Sequence, residues 1–393
     1  MKVTLLSTSF PLTTESSSGI FVARLADRLA EMMSVVIVVP ADAGTIGKQR
    51  RGNILLIPCR YAPRRWRLLA HSPGGLPVTL RKHRALWLLV PALLFSLAWQ
   101  CLRQAWSSDV LHANWVISGC VAGAVGFFTG KPVLTTVRGE DVTRAIKSPV
   151  DRLLLRLCMM TSRRVVCVSS DMLSWLRAHM PAYKHKLLLI ENGVDEEFFR
   201  AAENREKQAA GESIRLITVG SLIPRKGIDQ IIRVLARLAP SCRPHIEIVG
   251  GGPEEASLRE LAQELKVGEQ VDFLGPLMPQ EIPARLSDAD IFLFASHSEG
   301  RPNAVVEAMA AGLPVIAAEI AGVKELIEHE RTGLLFADGN LEQFAKYLQS
   351  LIIDQDLREQ LGRAGREQLL DKGCTWQDCA RNYFQAYQQM IHG

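Results

Sequence analysis

The chain has no Cys-x-x-Cys pair and no cysteine and histidine grouping at metal-ligand spacing; its eight cysteines stand apart at 59, 101, 120, 158, 167, 242, 374 and 379. That excludes a zinc ribbon and a disulfide framework, and makes the thiols small buried hydrophobes of a reducing compartment. Basic residues interleaved with aromatics in a nucleic-acid-binding pattern are also missing, so nucleic acid is not expected as a partner. The N-terminus has Lys2 but only a four-residue apolar run, 3–6, before Ser7-Thr8-Ser9. This reads as a first strand and not a secretory leader, and makes a cytoplasmic location the expectation.

What is present is enough chain for two cores. At 393 residues, two domains of about 200 residues each are expected. The net charge of +5 hides an asymmetry: residues 1–200 carry 26 Lys and Arg against 13 Asp and Glu, whereas residues 201–393 carry 20 against 28. The two halves are therefore expected to meet different partners, the basic one facing anionic lipid or an acidic glycan.

Short apolar runs suited to buried parallel strands recur at 3–6, 35–39, 54–57, 109–112, 133–137 and 165–168, with helical segments between several of them. A second set occupies 214–219, 245–249, 271–274, 291–294 and 315–318. Alternation of this kind predicts two α/β domains with doubly wound sheets. The turn Asn192-Gly193-Val194-Asp195 and the polar stretch 201–213 place the boundary near 200.

The segment richest in chemistry runs from Ser298 to Gly312, where seven residues separate Glu299 from Glu307. Gly300 and Pro302 break regular structure, Asn303 is a good helix cap, and 304–311 is a strong helix-forming run closed by Gly312 and Pro314. One carboxylate then lies in a loop and the other in the first turns of a helix. Helix N-termini attract phosphate and carboxylates accept from sugar hydroxyls, so the pair suits a phosphorylated sugar. The segment resembles the Glu-x7-Glu signature of the family-4 glycosyltransferases, the retaining nucleotide-sugar transferases of the GT-B fold. The resemblance continues in family order through 313–318, 325–328 and 332–336.

The resemblance implies an α/β fold of two facing Rossmann-like domains with an interdomain cleft. Residues 1–200 would bind the acceptor and 201–375 the donor, and an aromatic-studded helix, 376–391, would cross back onto the first domain. Asn192-Gly193-Val194-Asp195 looks like the family's interdomain element. Lys226 falls on the lysine that neutralises the donor diphosphate. Ser221 stands where many members have arginine, and Arg225 is the nearest replacement. Gly251 and Phe273 fall where the family approaches the nucleotide and its base, and Gly19, after Ser16-Ser17-Ser18, would turn backbone amides toward the diphosphate or the acceptor. The loop Gly300, Arg301, Pro302, Asn303 and Ala304 would line the donor site, Glu299 would accept hydrogen bonds from donor-sugar hydroxyls, and Glu307 would hold the ribose. Arg138 replaces the family's usual histidine. A guanidinium keeps its proton, so Arg138 is expected to bind and not to shuttle protons. Glu140, Asp141 and His112 join it as acceptor-side candidates, His112 reading equally as a satisfied core histidine; His297, beside Glu299, is similarly two-sided.

No cofactor is expected beyond a nucleotide-sugar substrate, with UDP-sugar favoured over GDP- or ADP-sugar, and the acceptor would be a glycan or a lipid-linked precursor of cell-envelope polysaccharide. An epimerase or hydrolase of the same fold, or a non-catalytic degenerate transferase, is the alternative. Asp288-Ala289-Asp290 fits a metal-binding Asp-x-Asp pattern, but it ends a helix directly before a strand, and no metal requirement is predicted. Residues 85–102 carry no charge, which only just qualifies as a spanning length. A span would put strands of one sheet on opposite sides of a bilayer. The segment reads as a helix packed on the first sheet or as one lying in a membrane interface. The clusters 64–67 and 81–84 favour the interface, since anionic head groups attract basic residues by about 1 kcal/mol each. An anionic surface met through residues 60–103, on the cytoplasmic face of the inner membrane, is thus a candidate partner.

Overall fold

The computed structural model describes residues 1–12, 18–45, 47–70, 79–80, 83–203, 213–239, 243–299 and 301–392. Gly300, Ser16, Ser17, Arg81, Lys82 and Cys242 lie outside the described residues, as does most of the 201–213 stretch. The chain divides into two compact units, Met1–Asn192 with Trp376–Gly393 and Gly193–Thr375.

Unit 1 is built on eight strands: β1 Lys2–Ser7, β2 Ser34–Pro40, β3 Gln49–Arg51, β4 Ile54–Cys59, β5 Val110–Asn114, β6 Val133–Val137, β7 Arg164–Cys167 and β8 Leu187–Leu189. Their order across the sheet is β3-β4-β2-β1-β5-β6-β7-β8, parallel throughout except for the antiparallel edge pair β3 and β4. The central strand β2 is apolar on both faces because both faces are covered. Along β2, Val35, Ile37 and Val39 join a core under the helices Ile20–Ala30 and Trp376–His392. Val36 and Val38 join a second core under the helix Val90–Ala105. The C-terminal helix therefore belongs to unit 1, where Trp376, Tyr383 and Tyr387 are among the largest fully buried side chains.

Unit 2 is a six-stranded parallel sheet of β9 Arg215–Val219, β10 His245–Val249, β11 Val271–Gly275, β12 Ile291–Phe294, β13 Val315–Ala318 and β14 Leu334–Phe336. The order is β11-β10-β9-β12-β13-β14. Chain order reverses at β9, between β10 and β12, and ligands of open α/β sheets bind beyond the carboxyl ends at such a switch point. The apolar runs correctly locate eleven of the strands; β3, β8 and β14 are three residues each, and β3 is fully exposed. The charge-free segment is a 3-10 turn, Arg84–Leu89, leading into the helix Val90–Ala105. Leu93, Leu97, Cys101 and Ala105 of that helix are buried, and β4 before it and β5 after it lie in one sheet.

Candidate functional site

In unit 2 the site grows from two loops at the switch point. The chain leaves β9 through Gly220 and makes a 3-10 turn, Pro224–Lys226, before the helix Ile228–Leu235. Gly227 joins turn to helix at φ 60°, and a Cβ there would run into the carbonyl oxygen of Ala295, at the end of β12. Only glycine permits both the left-handed backbone and this approach. Further bonds tie the loops: the His297 N–H and the Ser296 hydroxyl both donate to the Arg225 carbonyl, at 2.9 and 3.0 Å.

This stitching brings Glu299 to Lys226. The Lys226 Nζ donates to Glu299 Oε1 at 2.7 Å, the Ser296 hydroxyl reaches the same oxygen at 3.3 Å, and Arg225 stands at 3.5 Å while donating to the Ser298 carbonyl. Both partners are largely shielded, the lysine side chain 18% and the glutamate 13% exposed, whereas Arg225 is half exposed. A shielded pair of this kind holds each charge in a fixed place. Ser221 is exposed at the loop's start. Gly251 lies after β10, its carbonyl accepting from Leu222 at 3.0 Å.

Beyond Glu299 comes Arg301, half-buried, and then the helix Asn303–Ala310. The helix cap is Pro302 with no side-chain cap bond; Asn303, expected as the cap, is the first helical residue, with Ala304 beside it. The difference of one residue follows from proline's fixed φ, here −78°. Glu307 sits half-buried, five residues into this helix. Phe273 packs at the edge of the core under Arg259, whose guanidinium lies 4.5 Å from its ring centre. Sequence reasoning missed two organising residues, Gln230 and Asp338. Gln230 Nε2 donates to the Ala295 carbonyl at 3.1 Å and to Asp338 at 3.2 Å. Asp338 also lies 2.8 Å from His297 Nδ1. Neither belongs to a recognisable motif.

In unit 1 the carboxyl ends of β5 and β6 hold a second cluster. Arg138 is buried, its Nη1 donating to Asn192 at 2.7 Å and its Nη2 to Asn114 at 3.1 Å, with its guanidinium carbon 4.0 Å above the Phe21 ring. Its Nε has no hydrogen-bond partner among the described residues. Trp115, next to Asn114, takes φ 67° and ψ 156°, a region that costs a non-glycine residue about 1–3 kcal/mol and marks a constrained site. Gly19, also left-handed, caps the helix Ile20–Ala30 and presses its Cα against the Ser9 carbonyl.

The acceptor-side candidates separate in this structure. Glu140 is exposed, on the helix Gly139–Lys147. Asp141 is internal: one oxygen accepts from the Arg138 N–H at 2.9 Å and the other from Val116 at 3.3 Å, so one carboxylate caps the starts of two helices. Burial pushes its pKa up to about 6. His112 is fully buried, Nδ1 2.6 Å from the Tyr387 hydroxyl and Nε2 2.9 Å from Thr136, which in turn meets Tyr383 at 2.9 Å. Burial, followed by the Arg138 charge, drives its pKa down to about 3, so it is neutral. His112 thus ties the sheet to the C-terminal helix. Asp290 likewise has a structural place, accepting the Arg215 N–H at 2.8 Å where β9 and β12 begin.

Two parallel-sheet Rossmann-like units, with cations and carboxylates on the loops of the second, define the GT-B class. Residues 18–198 match the family model described as Glycosyltransferase Family 4, and residues 200–368 match the one described as Glycosyl transferases group 1. The chain belongs to the family-4 glycosyltransferases. It is 34% identical over 253 residues to a GDP-mannose-dependent alpha-(1-6)-phosphatidylinositol monomannoside mannosyltransferase of Mycobacterium tuberculosis, an overlap of 60% of this chain. The chain spans just under two thirds, 64%, of that relative's length. Among solved structures it resembles sucrose-phosphate synthase from Thermosynechococcus elongatus, at TM-score 0.82 and 21% identity over 100% of this chain and 99% of the other. Anabaena HepE in complex with UDP gives TM-score 0.71 at 19% identity, over 99% and 100%.

Proposed function

We propose that the protein is a retaining, metal-independent glycosyltransferase that moves a sugar from a nucleotide-diphosphate sugar to a glycan or lipid-linked acceptor of the cell envelope, working from the cytoplasmic side. The observation that carries this reading is the Lys226–Glu299 pair at 2.7 Å, on loops from adjacent strands at the switch point, with Glu307 on the helix that follows. Without a donor each charge neutralises the other. A diphosphate would draw Lys226 to itself and release Glu299 to accept from sugar hydroxyls, while Glu307 holds the ribose. Departure of the diphosphate would leave an oxocarbenium-like centre, and stabilising the leaving group by fixed cations and the N–H groups at Asn303 and Ala304 is the largest contribution open to the protein. The acceptor would then attack from the face the diphosphate leaves, the departing phosphate oxygen taking its proton. Arg138, held by Asn114 and Asn192, would act as a fixed contact to anionic or hydroxyl groups and would not move protons.

UDP-sugars remain the favoured donors under this reading. The mannosyltransferase relative's name states GDP-mannose dependence, so GDP-mannose is the first competitor to test. The acceptor is proposed to reach unit 1 from a membrane surface met through residues 60–103. Radiolabelled nucleotide-sugars incubated with the protein and a lipid extract, with EDTA present, test the transfer itself. Label moving into the lipid phase, with the anomeric configuration kept, is expected; release of free sugar alone would make the protein a hydrolase.

A further inference from the structure

One side of the unit 1 sheet carries three helices whose outer surfaces are apolar. Leu88, Phe95 and Trp99, on and just before the helix Val90–Ala105, are 84%, 72% and 51% exposed, and Trp106 follows on the same stripe. The helix Val116–Thr129 contains no charged residue and ends in Phe127 and Phe128, 82% and 78% exposed. On the helix Pro149–Thr161, Val150, Leu153, Leu157 and Met160 recur at helical spacing and are all exposed. The middle helix packs against both others. Gly119 and Gly123 let it lie tightly on the third, since a Cβ at either would overlap Cys158 or Thr161. The three outer stripes therefore form one layer, larger than the scattered apolar exposure normal for a protein surface.

Charge identifies what covers it. From residue 43 to residue 108 there are eleven Lys and Arg and no Asp or Glu. Arg103, Arg156 and Arg163 are exposed along the layer. Asp151 is paired with Arg144 at 2.5 Å, and Asp109 accepts the Lys2 N–H at 2.8 Å. Beside the first stripe a recess of about 530 Å³ has Lys48, Arg60, Tyr61, Phe95 and Trp99 in its lining. Cations and aromatic rings in one recess suit a phosphate carried on acyl chains. A second copy meeting this face symmetrically would set arginine against arginine.

We propose that the three-helix layer of unit 1 lies flat on an anionic phospholipid surface, with Phe127, Phe128 and the Leu153–Leu157 stripe inserted as deeply as Phe95 and Trp99, and that the Lys48–Arg60 recess takes a lipid phosphate. This deepens the membrane contact of the reading above, extending it from residues 60–103 to two further helices. Flotation with vesicles of phosphatidylcholine, with and without phosphatidylglycerol, tests it on the full chain. The unmodified protein is expected to float with the anionic vesicles. Phe127→Ser with Phe128→Ser should lower the partition coefficient roughly tenfold or more, and Arg103→Gln with Arg156→Gln about fivefold per arginine on anionic vesicles only. Tryptophan quenching by brominated-chain lipid in the unmodified protein reads insertion even where a variant misfolds. Absence of flotation or quenching, or variants that float like the parent, would overturn the proposal. So would concentration-dependent self-association abolished by the Phe127 and Phe128 changes, which would assign the face to a second copy. Nucleotide-induced thermal shifts on the same samples keep the two readings apart: docking lost with the shift intact sinks only this inference, and the reverse sinks only the donor site.

Discussion

The two units treat apolar surface in opposite ways. Among the described residues, unit 2 exposes three large hydrophobic side chains, Met278, Ile353 and Leu370, whereas unit 1 exposes seventeen. Charge follows the same division, with the excess of base in residues 1–200 and of acid in 201–393. Both sheets are doubly wound, so the fold does not demand the difference. Unit 2 keeps its large apolar side chains inside; unit 1 carries the exposed apolar helix faces and the basic excess on which the proposed membrane contact rests.

The largest expected effect falls on unit 2. Glu299→Ala should lower turnover by about a hundredfold or more while leaving the melting temperature within a few degrees, measured by transfer assay and calorimetry. Unchanged turnover would remove Glu299 from the site. Gly227→Ala should cost about 3 kcal/mol or more in denaturant unfolding, because the added methyl meets the Ala295 carbonyl in a left-handed backbone. Gly130→Ala, equally left-handed at φ 69° but facing open space, should cost only about 1 kcal/mol. Equal losses at the two positions would mean that the loop-to-strand contact contributes nothing.

How legible these features were depends on whether local sequence carries them. Apolar runs announced β2, β12 and β13, since a strand covered on both faces is apolar on both. The exposed β3, Gln49–Arg51, had no such signal, because an edge strand pairs through backbone alone. In the site, Glu299 and Lys226 were visible through motifs, and their ion pair required the tertiary contact that Gly227 allows. Gln230 and Asp338 were invisible because they act 108 residues apart. His112 was legible as either a site or a core histidine, and local sequence could not choose: its partner Tyr387 returns with the C-terminal helix, 275 residues away.

That histidine yields a pH prediction for unit 1. The folded chain protonates His112 only near pH 3, against 6.5 for a free imidazole, so the unfolded state binds more protons between these values. Its contribution to stability is present above about 6.5 and is lost as pH falls toward 3. Asp141 runs the other way: with a folded pKa of about 6 against 3.8, its contribution falls as pH rises across that interval. Unfolding of His112→Gln followed from pH 7 to pH 4 should show a shallower acid loss than the parent, or a reversed slope as Asp141 dominates. An unchanged profile would mean the imidazole is not buried neutral. A smaller effect than at Gly227 is expected from Asn192→Ala, which leaves Arg138 Nη1 without its acceptor at a cost of about 1–3 kcal/mol in denaturant unfolding.

The most direct test of the central claim, that unit 2 holds a nucleotide diphosphate without metal, is thermal stabilisation by UDP, GDP and ADP and their common sugars with EDTA present throughout. A clear upward shift with one base, lost in Glu307→Ala and weakened in Lys226→Ala, is the predicted result. A shift with no nucleotide, or one that persists undiminished in both variants, would contradict the assignment of the Lys226–Glu299 loops as the donor site.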